Sequence, residues 1–390
     1  MRRDAVQDPA PRTPPSLSRP RRLTPPYPDT RNDGLQSIQQ AESRHQARPI
    51  PEVACDRCGK TDIQHDLHYH CNKCSDGNFD LCLRCYRTGQ GCNHWFGFGY
   101  VARARWDKHA PPGGYPPEYE TPHVLTARRY VRRSPERGTT ETGLQEGAFC
   151  EGCFKHADQS YWHCNACFEG AWGYCLACVQ QEKHCTHPLA PVTRVPDQQR
   201  VRDIPGIGRL LPLPHLPTND YYSYLPTTTC AVSRAIIPPD QTRLHCSQCN
   251  NGNYDICNDS YNSLMATGKI SNANGLSGWR LCLQGHPMSV VVFRNVLDNV
   301  HQRVVVSDVV GGWKAKDKSL QASTQTQHDI PSSLRAVALW SWWPADGVED
   351  ELAFPKHAEL EEVEEINTDY YAGVYASSRG LFPANHVRMS

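Results

Sequence analysis

Cysteine spacing constrains this chain more than any other feature. Cys55-x2-Cys58, Cys71-x2-Cys74 and Cys82-x2-Cys85 are followed by Cys92-x-His94. Two thiolates held two residues apart at a tight turn reach one tetrahedral ion at about 2.3 Å, so four such pairs supply the ligands of two complete zinc sites. A stretch of roughly 40 residues buries too little apolar surface to stand without staples of this kind. The spacing recurs as Cys150-x2-Cys153, Cys164-x2-Cys167, Cys175-x2-Cys178 and Cys185-x-His187, with seven residues between the second and third pairs in both copies. The gap between the first two pairs is twelve residues in one copy and ten in the other, a difference that a surface loop absorbs at little cost. A third copy is damaged. Cys230-x2-Ser233 stands at the first pair, Cys246-x2-Cys249 is intact, Cys257 is followed by Ser260, and Cys282 and His286 close the copy after a longer loop.

All 19 cysteines are thereby placed, 14 in the first two copies and five in the third. The competing explanation is a disulfide framework. Met1-Arg2-Arg3-Asp4 leads into a Pro/Arg-rich run with no apolar core, unlike a secretory signal, so reduced thiols holding zinc are expected, in cytosol or nucleus. No run approaches the roughly 20 apolar residues of a membrane span; the best, Val290 to Phe293, meets Arg294 at once. With 41 basic and 41 acidic side chains the chain as a whole offers no electrostatic footprint for nucleic acid. The 31 prolines and 27 glycines suit several small domains on irregular linkers better than one large core.

Residues 1–50 are rich in Pro, Arg, Ser and Gln and are expected to stay disordered. Within them Arg22-x2-Pro25-x2-Pro28 has the layout of a polyproline II ligand with a cation at one end. Modules are expected over 51–100, 148–195 and 227–296, with linkers over 101–147, 196–226 and 297–333. The first linker carries a basic run, Arg128, Arg129, Arg132, Arg133 and Arg137, read as a solvated face. His70, His163 and His245 precede the third cysteine of each copy and are read as strand-face residues, because neighbours along a strand face opposite sides.

The order Cys-x2-Cys, Tyr69-x-Cys71-x2-Cys74 and Asn78-Phe79-Asp80-Leu81-Cys82-x2-Cys85-Tyr86, with a short closing pair, resembles the ZZ-type zinc finger. That resemblance implies cross-bracing: Cys55, Cys58, Cys82 and Cys85 on one zinc, and Cys71, Cys74, Cys92 and His94 on the other. In the second copy it implies Cys150, Cys153, Cys175 and Cys178, then Cys164, Cys167, Cys185 and His187. In the third it leaves Cys246, Cys249, Cys282 and His286 complete, while Cys230 and Cys257 face serines that stay protonated and ligate poorly. About five zinc ions are therefore expected. The closing Cys-x-His departs from the two histidines with which the family usually ends. The family receives the N-terminus of a partner chain on acids beside the first and third pairs, which maps to Asp56 and Asp80; the second copy has Glu151 but Gly173, and the third keeps Asp255. A RING finger, the nearest rival, would have a far shorter gap between the second and third pairs and would end in Cys-x2-Cys.

From residue 334 to 390 there is no cysteine, and short segments separated by turn residues indicate an all-β unit. Ala338-Leu339-Trp340-Ser341-Trp342, Glu351-Leu352-Ala353-Phe354, Tyr370-Tyr371-Ala372-Gly373 and Gly380-Leu381-Phe382-Pro383-Ala384-Asn385-His386-Val387 resemble the Src-homology-3 (SH3) barrel. By that resemblance Trp340, Trp342, Tyr370, Pro383, Asn385 and His386 line a groove for proline-rich peptides, with Glu349, Asp350 and Glu351 alongside to pair with a ligand arginine. The barrel would rest on Leu339, Leu352, Phe354, Gly373, Gly380 and Val387, with Glu362 at a core position.

The expected fold class is thus small zinc-stabilised, cross-braced modules in tandem plus an all-β SH3 barrel, joined by disordered linkers. The expected function is a non-catalytic adaptor that engages proline-rich segments and, at the first module, N-terminal peptides, with no membrane or direct nucleic-acid role. The alternatives from other classes are a ubiquitin ligase component built on RING-like fingers and a nuclear reader of histone tails.

Overall fold

Each cysteine repeat folds around the same short antiparallel hairpin, because the residues between the second and third pairs are too few for anything but a turn. In the first repeat β1 (His68–Cys71) pairs with β2 (Phe79–Cys82), which runs straight into α1 (Leu83–Arg87). The thiol of Cys82 accepts the N–H of Cys85 and so caps the helix with a ligand side chain. The second repeat has β5 (Tyr161–Cys164), β6 (Trp172–Cys175) and α2 (Leu176–Gln180). The third has β11 (Arg243–His245), β12 (Asp255–Cys257) and a longer α3 (Asn258–Ala266), preceded by the small ribbon of β9 (Thr228–Thr229) and β10 (Ile236–Ile237).

The computed structural model describes residues 50–95, 97–98, 106, 108–116, 122–133, 141–157, 160–195, 221–270, 280–297, 300–306, 334–345 and 347–390. The expectations for the tail, including the Arg22 to Pro28 segment, lie outside these residues, as does Arg137.

Much of what reads as linker is structure. β3 (Thr126–Arg133) adds to β1 and pairs in turn with β4 (Glu141–Glu146), giving a sheet ordered β2-β1-β3-β4. The basic run is therefore a strand, and Arg128 and Arg129 are engaged, the first with Asp80 at 2.9 Å and the second with Gln145 at 2.9 Å. In the second repeat β7 (Leu189–Arg194) pairs with β5 and receives β8 (Tyr221–Ser223) on its far end. In the third, β13 (Ser289–Leu297) pairs with β11 and turns back as β14 (Val300–Val305), which reaches β7. The second and third repeats thus share one eight-stranded sheet, β12-β11-β13-β14-β7-β5-β6 with β8 on β7. The apolar pattern Val290 to Phe293, too short for a membrane, is the buried stretch of β13. No helix among the described residues is long and apolar enough to cross a membrane.

The C-terminal unit is a five-stranded antiparallel sheet built from β15 (Leu334–Ala338), β16 (Glu359–Glu365), β17 (Tyr370–Tyr375), β18 (Ser378–Pro383) and β19 (Val387–Met389), in the order β18-β17-β16-β15-β19. Leu352, Phe354, Leu360 and Phe382 are fully buried in it. Two expectations fail here. Leu339 is 40% exposed, because the strand buries Ala336 and Ala338 instead. Glu362 is not in the core: a register shift between Glu361 and Glu364 puts it at φ 52°, where it meets Arg379 at 3.4 Å, and Val363 takes the inner place. Gly380 is obligatory, since a Cβ there would lie 2.7 Å from Leu352 N and 2.9 Å from Asp350 O. That close approach lets Leu352 N–H bond Leu381 O and Leu381 N–H bond Asp350 O, both at 2.8 Å.

The parts are not beads on a string, since residues 47–390 form one unit. A single apolar cluster runs from Ile63 and Leu81 through Phe168, Trp172 and Tyr174 to Phe354 and Phe382. At its junction sits Arg87, at the end of α1. Its guanidinium donates to Glu151 at 2.6 Å and lies over the rings of Phe154, Trp172 and Trp343 at 5.1, 5.3 and 4.7 Å, while its carbonyl accepts the Trp343 indole N–H at 3.1 Å. One side chain therefore ties the first repeat, the second repeat and the C-terminal sheet. Replacing Arg87 by Met strands the buried Glu151 carboxylate, which on general grounds costs about 3–5 kcal/mol. Thermal unfolding should show that loss, and adding Glu151→Gln to the same chain should recover a large part of it.

Candidate metal centres

Four-residue clusters form where the first and third pairs of a repeat converge, and again where the second and fourth do. The described residues contain five such groups with ligand atoms within 4.8 Å of one another: Cys55, Cys58, Cys82 and Cys85; Cys71, Cys74, Cys92 and His123; Cys150, Cys153, Cys175 and Cys178; Cys164, Cys167, Cys185 and His187; and Cys246, Cys249, Cys282 and His286. All 19 cysteines are free thiols. The distances between ligands suit one tetrahedral ion. With Zn–S bonds of about 2.3 Å a tetrahedron's edge is about 3.8 Å, and the Cys58–Cys82, Cys153–Cys175 and Cys249–Cys282 sulfurs lie 3.8, 3.7 and 3.6 Å apart. A disulfide would bring them to about 2.05 Å. Burial pushes the thiols of Cys92 and Cys249 up to about 12; crowding buried sulfurs this way is unfavourable for anions until a dication neutralises them. Each cluster is complete in protein ligands, the arrangement of structural zinc.

His94 is the correction. Its place in the first repeat's second cluster is taken by His123, whose Nδ1 lies 3.4, 3.3 and 3.7 Å from the sulfurs of Cys71, Cys74 and Cys92. His94 stands beside it, ring centroids 4.9 Å apart, and its carbonyl accepts the His123 N–H at 3.0 Å. The reason lies in the third strand of each repeat. His123 comes just before β3, His187 just before β7 and His286 just before β13, each followed by one residue and then a buried Leu125, Leu189 or Met288. The fourth ligand is delivered by that strand. In the second repeat the strand begins at once after Cys185-x-His187, so the two signals coincide; in the first, a long excursion separates them. His-x-Leu/Met was the legible sign, at His123-Val124-Leu125, His187-Pro188-Leu189 and His286-Pro287-Met288.

The strand histidines stay out of the clusters. His70 Nδ1 meets Asp80 Oδ1 at 3.0 Å, His163 Nε2 meets Gly170 O at 2.7 Å, and His245 Nδ1 meets Asp255 Oδ1 at 3.2 Å. In the third repeat the place of a metal at the first cluster is filled by hydroxyl and thiol contacts: Ser260 Oγ lies 3.4 Å from Cys230 Sγ and 3.2 Å from Cys257 Sγ. Apolar packing surrounds it: Tyr261, in the place of Tyr86 in the first repeat, and Leu264, beyond the length of α1, lie in one cluster with Ile237, Leu244 and Ile256.

Comparison with known proteins adds little to this geometry. No family model matches the chain, and no curated protein matches it. Among solved structures, a chain titled "CED-2" is similar over 28% of this chain and 71% of that one, at 16% identity and a TM-score of 0.14, too low to carry an argument.

The C-terminal sheet reaches into one of the clusters. The Tyr375 hydroxyl lies 3.4 Å from Cys167 Sγ and 3.2 Å from the Tyr174 hydroxyl, which in turn accepts the Cys185 N–H at 3.0 Å. On the other side Glu359 Oε1 is 3.7 Å from His187 Nε2, the ring atom opposite the Nδ1 that faces Cys167 at 3.3 Å. At 3.7 Å this is an ion-pair contact rather than a hydrogen bond, and a carboxylate there favours the proton on the far nitrogen, leaving Nδ1 to face the thiols. Two residues outside the repeat, invisible to any reading of cysteine spacing, thus support its fourth ligand set.

Other site residues named from the sequence fall into two groups. Trp342 stacks edge-on with His386 at 5.0 Å and donates its indole N–H to Glu351 at 3.1 Å; Tyr370 pairs with Pro383 across β17 and β18, and Asn385 meets His386 at 2.9 Å. The two pairs are linked along the chain from Pro383 to His386; Trp340 is 61% exposed under Lys356, and Glu349 and Asp350 are exposed on the loop leading to Glu351. At the first repeat, Asp56 and Asp80 line a cleft of about 440 Å³. Asp56 is exposed, whereas Asp80 is buried and held by Arg128 and His70.

Elemental analysis of the purified chain should return five zinc ions, and His123→Ala should remove one of them while His94→Ala removes none. Glu359→Ala should weaken the Cys164, Cys167, Cys185 and His187 site by up to about fivefold in a chelator competition, the scale of a half-exposed ion pair.

Proposed function

We propose that this chain is a non-catalytic adaptor. Three ZZ-type modules, two with paired zinc sites and one with a single site, form a rigid scaffold for an SH3-type domain that binds proline-rich peptides. The observation that carries the reading is the pair of contacts Trp342–His386 and Tyr370–Pro383, with Glu351 on the Trp342 indole. Flat aromatics side by side offer the ridged face that polyproline II prolines fill, and an acid at the end suits a peptide cation. Complete four-ligand metal sets support a structural rather than a catalytic role for the zinc, and the free thiols support a reducing compartment, cytosolic with a nuclear presence compatible.

A second reading has its own observation. The first repeat's cleft keeps an exposed carboxylate, Asp56, whose Oδ2 accepts the Asp80 N–H at 2.6 Å. A free peptide N-terminus is the cation that fits there. Because Asp80 is already neutralised by Arg128, Asp56 would be the receiving group.

Isothermal titration with an Arg-x-x-Pro-x-x-Pro peptide should show binding that Trp342→Ala weakens by more than tenfold, the scale on which buried aromatic anchors act. Binding that survives both Trp342→Ala and His386→Ala would refute the groove.

A further inference from the structure

The three repeats can be compared residue by residue at one place. The N–H after the first cysteine donates to the β-strand carbonyl across from it: Asp56 to Asp80 at 2.8 Å, Glu151 to Gly173 at 3.0 Å and Ala231 to Asp255 at 2.8 Å. Those same carbonyl residues sit opposite His70, His163 and His245 in the strand register. Two residues earlier on the strand stand His68, Tyr161 and Arg243.

The chemistry differs at each. The first repeat's cleft is acidic at its mouth, through Asp56. The second's is plugged: a Cβ on Gly173 would come within 2.3 Å of Tyr161 Cζ, and Glu151 is spent on Arg87. The third is open again, as a cleft of about 760 Å³ against the second repeat, but its acid is replaced by Ala231 and its walls carry Arg243 and Arg303.

These arginines are the unusual feature. They are only 2% and 6% exposed. Arg243 lies over Phe293 at 4.7 Å, bonds Thr228 and donates to Pro239 O at 3.4 Å; Arg303 Nη1 meets His184 Nε2 at 3.0 Å. Arg243 Nε and Arg303 Nη2 have no hydrogen-bond partner among the described residues. The carboxylate lining the cleft, Asp255, is engaged by His245, and Glu182 behind it bonds Ser289. Burial pulls both guanidinium groups below their ordinary value. Asp255 and Glu182 offset part of this charge electrostatically, but neither bonds these two N–H groups, and an unpaired buried donor is a cost that an entering acceptor would relieve.

We propose that the cleft between the second and third zinc modules binds an acidic peptide segment, one carboxylate taken by Arg243 and Arg303 and apolar side chains packed on Trp162, Tyr254 and Val291. A planar carboxylate matches the guanidinium fork. Asp255 in the same cleft reduces the advantage that a dianion such as a phosphate would gain from the two guanidinium groups. Exposed Arg234 at the rim favours capture of acidic chains. The third repeat, having lost one metal site, has acquired the opposite ligand preference from the first.

The test is fluorescence polarisation on the full zinc-loaded chain with a labelled, end-blocked Leu-Glu-Leu-Glu-Leu peptide, its Gln-for-Glu counterpart and its phosphoserine-for-Glu counterpart. The Glu peptide is expected to bind at least about tenfold tighter than the Gln peptide. Ala231→Asp, which restores the first repeat's acid at a half-buried position, and Arg234→Glu should each weaken it by about tenfold, with zinc content and melting temperature retained. Trp342→Ala should leave it unchanged, which separates this site from the proposed groove. Absence of binding, equal binding of Glu and Gln peptides, or indifference to both cleft variants overturns the proposal. Tighter binding of the phosphoserine peptide overturns the carboxylate assignment.

Discussion

Convergence of four ligands on a point is the constraint from which the rest of this structure follows. The first and second repeats have hairpins of four-residue strands and helices of five residues, elements too short to hold themselves by burial alone. Each hairpin lies between two clusters, so the pairs at either end pin its register. The third repeat shows what happens when one of those points is lost. With serine at two ligand positions, the helix runs to nine residues and Leu264 on its added length joins the apolar cluster of Ile237, Leu244 and Ile256.

Metal clusters need a fourth ligand from outside the hairpin, and this requirement explains the larger architecture. His123, His187 and His286 arrive on the approach to a third strand, so completing a cluster also extends the sheet. In the second and third repeats that extension is shared through β14, which joins two modules into one sheet. The Gly252 turn then packs so close to α2 that a Cβ there would lie 2.4 Å from Gln180 O. Tyr375 and Glu359 carry the same logic to the C-terminal sheet, where a domain with no cysteine buttresses a cysteine cluster.

Against this common frame, the residues that are not ligands diverge. Position by position, the acid of the first repeat becomes a buried ion pair with Arg87 in the second and an alanine in the third. The frame tolerates such exchange because the cysteine and histidine clusters, not the clefts, shape the backbone of each module. The surfaces are then free to differ in charge while the backbone stays the same.

The ligand chemistry was legible in the sequence because cysteine pairs and the hairpins between them are local: spacing along the chain dictates what two thiols can reach. The same holds for the apolar and turn pattern of residues 334–390, and for the serines that remove a cluster from the third repeat. Spacing misassigned His94, because the competing His123 comes from beyond a Pro/Gly-rich excursion and is chosen by strand pairing. It likewise read strands as linkers, since β3, β4 and β14 are defined by the partners they add to. The Arg87 junction, the Tyr375 and Glu359 contacts and the two buried arginines of the cleft exist only once distant segments are packed. Local spacing determined which atoms could hold metal; the tertiary structure decided which modules share a sheet and which charges face one another, because those depend on long-range burial that no window of sequence contains.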